Sequence, residues 1–373
     1  MSGRESSGFT MSQKINEFRS MRIAQVAPLT EAIPPKLYGG TERVVHWLTE
    51  ELVAFGNDVT LFASGDSRTT ARLEATWPKA LRLDGSIRDP NALHIVMLER
   101  VRQLSHEFDL LHFHLDYYPF SLFARQQTPF ITTLHGRLDL PEHQPVFRTF
   151  RTTPLVSISN SQRRPVPQAN WVETIYHGIP EKLLTPRSLE PAYLAVLGRI
   201  APEKSTDRAI RIAKRCGIPL KIAAKVDRVD QEYYDEVIRP LLDPPFIEYI
   251  GEISDQEKSE FLSGAIALLV TIDWPEPFGL VMIEAMACGT PVIAFNRGSV
   301  PEIVEKNITG FIGEDEISSV SAVNRVCELD RKNIRARFEQ RFTARRMALD
   351  YLATYRNVMH LKTPRLKVVM SAE

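Results

Sequence analysis

The sequence predicts an α/β protein built from two doubly wound, Rossmann-like domains that face a cleft. Three observations carry this. Short apolar runs alternate with stretches of helical period, which implies parallel sheets covered on both faces. The length of 373 residues suits two domains. The alternation also breaks once, at a proline-rich stretch, and then starts again.

The first twenty residues, MSGRESSGFTMSQKINEFRS, are polar and lack the apolar core of a signal peptide, so they are expected to be disordered. Met21 opens the first strand and is an alternative start. RIAQVAP gives that strand, and the loop LTEAIPPKLYGG follows. The helix TERVVHWLTEELVAFG places Val44, Val45, Leu48, Leu52 and Val53 near a 3.6-residue period. Gly56 ends it, as a left-handed C-terminal position prefers. DVTLFAS is the next strand, and Ser64 to Asn91 reads as irregular. A helix over about Ala92 to Glu107 precedes the strand DLLHFH. FITTLH, PLVSIS and WVETIYH complete a first domain over 21–187.

PEKLLTPRSLEP, Pro180 to Pro191, reads as the linker because three prolines interrupt any regular element. The second domain, 188–342, has strands AYLAVLG, LKIAAK, FIEYIG, AIALLVT, TPVIAF and GFIG. Its helices lie near TDRAIRIAKRC, QEYYDEVIRPLL, DQEKSEFLSG and LVMIEAMAC. A last helix over 343–361 buries a stripe that includes Met347, Tyr351 and Tyr355. It can pack within the second domain or cross back to the first. Residues 362–373 form a tail. Ligands of open parallel sheets bind beyond the carboxyl ends of the strands, so two facing sheets imply an interdomain site.

Lys plus Arg balance Asp plus Glu at 46 each, which argues against a nucleic-acid partner. Cys216, Cys288 and Cys327 lie far apart and read as buried free thiols in a reducing compartment. No run reaches the ~18 apolar residues of a membrane span. A cytoplasmic location is expected. The pairs Arg148 with Arg151 and Arg163 with Arg164 read either as solvated surface or as contacts to anionic lipid at the cytoplasmic face.

Four signals carry candidate chemistry, the last of them a pair of strand ends. In DWPEPFGLVMIEAMACGTPVIAF, a helix start near Phe278 or Gly279 offers unpaired amides and positive polarity to an anion. Glu276 lies before that helix and Glu284 eight residues later, so the two can hold separate ends of an elongated ligand. The alternative is a capping Glu276 and a solvated Glu284. In LGRIAPEKSTDRAI, Arg199 and Lys204 fall between a strand end and a helix start, where two cations suit a diphosphate. The alternative is a pair of solvated loop cations. YGGTER places Gly39 and Gly40 before a helix without matching the dinucleotide pattern. The strand ends DLLHFHLD and TTLHGR bring His112, His114 and His135 toward the cleft, with His112 and His114 on one face. Metal binding by His112 and His114 lacks a third ligand nearby in sequence.

GGTER, HFH, TLHG, GRIAPEK and the E-x7-E run EPFGLVMIE together resemble glycosyltransferase family 4, from about Met21 to His360. The resemblance implies the GT-B fold and retaining transfer of a sugar from a nucleotide diphosphate to a glycan, lipid or small-molecule acceptor. It implies that Arg199, Lys204 and the amides of Phe278, Gly279 and Leu280 hold the donor diphosphate. Glu276 would sit against the donor sugar, Glu284 on the ribose, and Gly40 would let the first domain's loop close on the phosphate. His114 resembles the family's sugar-side histidine, and His135 belongs to the same neighbourhood. Ile253 and Lys258 in YIGEISDQEK resemble the nucleobase pocket. Glu276, His114, Arg199 and Lys204 are the expected catalytic set.

Two positions depart from the family pattern: Ser205 follows Lys204 where Gly is common, and His177 stands where Asn is common. No metal motif appears in the sugar region, so a metal-independent reaction without cofactor is expected. The other readings are a nucleotide-sugar binder without turnover and a nucleotide-sugar isomerase. Oligomeric state is not legible.

Overall fold

The computed structural model describes residues 20–36 and 39–362. The expectations for the N-terminal extension, for Tyr38 and for the tail fall outside these residues, apart from Ser20 and the backbone of residue 362.

Two parallel sheets form the frame. The first has seven strands in the order β3-β2-β1-β4-β5-β6-β7. These are β1 Arg22–Val26, β2 Asp58–Ser64, β3 Arg72–Trp77, β4 Leu110–Phe113, β5 Phe130–Thr133, β6 Leu155–Ser157 and β7 Trp171–Thr174. The second has six, ordered β10-β9-β8-β11-β12-β13. These are β8 Tyr193–Ile200, β9 Leu220–Val226, β10 Ile247–Gly251, β11 Ala265–Val270, β12 Val292–Phe295 and β13 Gly310–Gly313. In each sheet the order reverses beside the first strand, between β1 and β4 and between β8 and β11. A crevice opens at such a switch point, and there the ligand side chains gather. The helices of eight residues or more are α1 Gly40–Ala54, α2 Pro90–Leu104, α3 Thr206–Cys216, α4 Asp255–Ser263, α5 Leu280–Ala287, α6 Glu316–Val323, α7 Arg331–Arg341 and α8 Ala344–Lys362.

The central strands β1, β4 and β5 are almost wholly buried, as a sheet covered by helices on both faces requires. In β4 all four residues are buried, and in β12 likewise. α3 shows how sequence sets a helix: Ala209, Ile210, Ile212 and Ala213 are buried, and Gly217 ends it at φ 65°. α4 begins in a capping box in which Ser254 and Glu257 satisfy each other's backbone amides.

β3 lies within the stretch the sequence leaves irregular. It is an edge strand whose residues are only half-buried or exposed, so no apolar run marks it. The expected helix over QEYYDEVIRPLL is broken into α, π and 3-10 turns, because Pro240 cannot continue it. The cysteines are free, but only Cys288 is buried. Cys216 is intermediate and Cys327 exposed, because a 3-10 turn presents Cys327 at the surface.

α8 crosses back to the first sheet and packs on α1. Its Tyr351 and Tyr355 are buried to 1% and 0% exposure. Tyr355 Oη accepts from Gln25 Nε2 at 3.0 Å, and Tyr351 Oη pairs with Thr133 Oγ1 at 2.9 Å. A buried Tyr needs such a partner for its hydroxyl. Among the described residues, no helix is long and apolar enough to cross a membrane.

Candidate active site

A cavity of about 500 Å³ opens between the two sheets. Of the residues given a binding or catalytic role from sequence, it is lined by Gly40, His135, Arg199, Ile253, Lys204, Lys258, Glu276, Phe278, Gly279, Leu280 and Glu284. His114 is not among them.

The loop from Asp273 to Gly279 is shaped by two glycines. Gly279 sits at φ 82° as the residue that caps α5, whose first helical residue, Leu280, lies one position beyond the expected Phe278 or Gly279. A Cβ there would lie 2.7 Å from Met282 Cε, besides the strain of the left-handed backbone. Gly298, at φ 56°, lies under the loop, and a Cβ there would meet Glu276 N and O at 2.3 Å. Ser299 then donates its backbone N–H to Glu276 O at 2.9 Å, and its hydroxyl donates to Phe278 O at 2.7 Å. Ser159 of the first domain donates to Pro277 O at 2.7 Å. The loop is therefore gripped by both halves of the molecule. Gly40 faces it across the cleft, with Leu280 Cδ1 3.6 Å from where a Cβ would stand.

Neither solvated-surface alternative describes the charged residues. Lys204 Nζ donates to Glu276 Oε2 at 2.5 Å, and their side chains are 26% and 13% exposed. Glu276 does not cap α5. Arg199 pairs with Glu203 at 2.5 Å and Asp230 at 3.1 Å, with Asp227 at 3.6 Å. Glu284 is buried, and Lys258 donates to it at 2.7 Å. Lys258 also pairs with Asp255 at 3.2 Å. Burial alone would lower the Lys258 pKa; the Glu284 and Asp255 carboxylates outweigh it and hold the pKa above its ordinary value.

The histidines are ordered differently from the sequence expectation. His135 lines the cavity and His114 stands behind it, 3% exposed, because it directly follows β4 and its backbone N–H still bonds Val26 O of β1 at 3.0 Å. Gln25 Nε2 donates to Tyr355, so Gln25 Oε1 accepts from His114 Nε2 at 2.8 Å. His114 Nδ1 then accepts from His135 Nε2 at 2.9 Å. Burial drives the pKa of His114 well below the ordinary value, and the neighbouring imidazoles push the same way. Burial also holds His135 down to about 3. His112 bonds Tyr355 at 2.8 Å and Thr133 at 2.7 Å, so both ring nitrogens are engaged and not offered to a metal.

Several lining residues escaped the sequence reading. Arg43 of α1 pairs with Asp255 of α4 across the cleft. Trp274 donates its indole N–H to Glu276 Oε2 at 2.9 Å. His177, noted only as a departure, stacks on His135 with ring centroids 5.3 Å apart. Arg43 and Trp274 lie inside GGTER and DWPEPFG, so proximity to those runs was the available signal.

Known protein families match both halves of this frame. The family described as Glycosyltransferase Family 4 matches residues 38–181, and Glycosyl transferases group 1 matches 185–344. The chain belongs to the group 1/family 4 glycosyltransferases.

This glycosyltransferase is 26% identical to D-inositol 3-phosphate glycosyltransferase of Mycolicibacterium smegmatis over 170 residues. That match covers 42% of this chain and 38% of the relative. It is 26% identical to glycogen synthase of Mycobacterium tuberculosis over 335 residues, 74% of this chain and 79% of that one. The solved structure of Anabaena Alr3699/HepE in complex with UDP superposes with a TM-score of 0.71 at 18% identity. It covers 90% of this chain and all of that one, so the GT-B fold is shared.

Proposed function

We propose that this glycosyltransferase takes a sugar from a nucleotide diphosphate and passes it, with retention of configuration, to a glycan, lipid or small-molecule acceptor. The observation that carries the reading is the convergence of Arg199, Lys204, the start of α5 and the Lys258–Glu284 pair on one interdomain cavity. These groups suit the parts of a nucleotide sugar in order. Lys258 and Glu284 take the nucleoside end, with Glu284 on the ribose and Ile253 beside the base. Arg199, Lys204 and the amides of Phe278, Gly279 and Leu280 take the diphosphate. Glu276 and His135 face the sugar. Anabaena HepE, of the same fold, has been solved with UDP-glucose, which supports a donor of this class.

Cleavage of the anomeric bond puts negative charge on the leaving diphosphate. Groups that bind this growing charge more strongly than the ground state accelerate the step. Lys204 has three N–H donors and gives one to Glu276, leaving two for phosphate oxygens. Attack comes from the face the diphosphate leaves, and that diphosphate takes the acceptor's proton. Glu276, held by Lys204 and Trp274, positions the sugar and is not a covalent nucleophile. Fixed cations and amides take the role that a divalent ion has in other transferases, so the reaction is proposed to be metal-independent.

The test is incubation with UDP-, GDP- and ADP-sugars and an acceptor panel, with NMR of the products. A glycosylated acceptor with the donor's anomeric configuration is expected. Donor binding without turnover on any acceptor would indicate a binding protein. A new nucleotide sugar formed without acceptor would indicate an isomerase.

A further inference from the structure

Trp274 lies where the two domains meet at the cavity. Its ring is half-buried at the cavity wall and carries a cation from each domain. Lys204 Nζ of the second domain lies 5.1 Å from the ring centroid, and Arg137 of the first domain lies 5.7 Å from it. Asp139 grips Arg137 through two 2.7 Å hydrogen bonds, so the guanidinium is held in place although its side chain is 43% exposed. Meanwhile the indole N–H and Lys204 Nζ donate to the same oxygen, Glu276 Oε2.

We propose that Trp274 is a positioning residue for Glu276, and that Arg137 makes its action depend on the approach of the first domain. With two donors on Oε2, the carboxylate is fixed in rotation and Oε1 is left for hydroxyls of the donor sugar. A charge-assisted bond from an indole N–H is directional, whereas Lys204 alone is a point charge around which the carboxylate can swivel. Arg137 follows the strand-end run TLHG and reaches the ring from the opposite lobe. Separation of the lobes would remove one cation from the ring face and loosen the indole. The sugar-holding part of this inference rests on the proposed function. The Trp274–Glu276 bond and its dependence on Arg137 do not.

The test has two arms on the full chain. In the first, ¹H–¹⁵N spectra of the indole groups identify the Trp274 resonance by its loss in Trp274→Phe. It is expected to shift in Glu276→Gln and in Arg137→Ala. A resonance unmoved by both substitutions overturns the proposal, whether or not the protein transfers sugar. In the second arm, Trp274→Phe is expected to melt as the wild type does and to bind UDP within about twofold. Turnover of UDP-glucose should fall about 10- to 100-fold, as expected for a lost bond to a charged group. Arg137→Ala should slow the wild type severalfold and have no further effect in Trp274→Leu. Additive effects, or a Trp274→Phe enzyme with unchanged kcat, would overturn it. No turnover by the wild type with any donor would instead sink the proposed function, and the spectra would still decide the role of Trp274.

Discussion

Lys258 and Glu284 form a nearly dry ion pair, 2.7 Å apart with side chains 12% and 5% exposed. One comes from α4 and the other from α5, so the pair ties two helices of the second domain at the cavity wall. Removing one partner of a buried pair leaves the other charge uncompensated, at a cost of about 3–5 kcal/mol. Asp255, 3.2 Å from Lys258, makes the two removals unequal. Lys258→Met is expected to lower the melting temperature more than Glu284→Gln, since in the latter Asp255 still faces the lysine. Calorimetric melts check this, and equal losses would contradict it. The raised pKa of Lys258 gives a matching pH dependence. Its stabilisation is complete below the ordinary lysine value near 10.4 and is lost as pH rises through the folded value.

Glu284→Gln should also weaken nucleotide binding about 10- to 100-fold, the range for a hydrogen bond to a charged group. Isothermal titration with UDP measures it. Affinity equal to wild type would remove Glu284 from the ribose.

The four imidazoles of His112, His114, His135 and His177 are all kept from protonating, in each case first by burial. The unfolded chain takes up protons near pH 6.5 while the folded one does not, so stability falls as pH drops below about 6.5. Each histidine contributes up to about 1.4 kcal/mol per pH unit in that window. His177→Asn is expected to reduce the slope of unfolding free energy against pH by about one proton. Denaturant titrations from pH 4.5 to 6.5 provide the comparison, and an unchanged slope would show that His177 does not resist protonation.

Treatment with a chelator should leave turnover within about twofold, because Arg199, Lys204 and the α5 amides are proposed to carry the charge of the leaving group. Activity lost on chelation and restored by Mg²⁺ would contradict the metal-independent reading.

Strands with apolar runs were legible in the sequence, and so was α3 from Thr206 to Cys216, because its apolar positions keep a helical period and Gly217 stops it. β3 was not, since an edge strand has neither two buried faces nor an apolar run. The role of α8 was open because a buried stripe does not say which surface covers it. Gln25 and Thr133, which receive its tyrosines, lie more than two hundred residues away in the chain. The candidate site was readable where one short run holds several of its residues, as from Glu276 to Glu284. It was not readable for contacts such as Arg43 with Asp255 or Arg137 with Trp274, which exist only once two sheets face each other. The exchange of His114 for His135 at the cavity wall has the same origin. Strand alternation places His112 and His114 on one face but does not say how deep that face lies.

The cleft is proposed to receive a nucleoside diphosphate through Arg199, Lys204 and the start of α5. Titration of UDP, GDP and ADP into the wild type and Lys204→Met tests it most directly. Binding of at least one by the wild type, weakened at least about tenfold in Lys204→Met with the melting curve retained, is the predicted result. No binding of any of the three, or equal binding by both proteins, would contradict it.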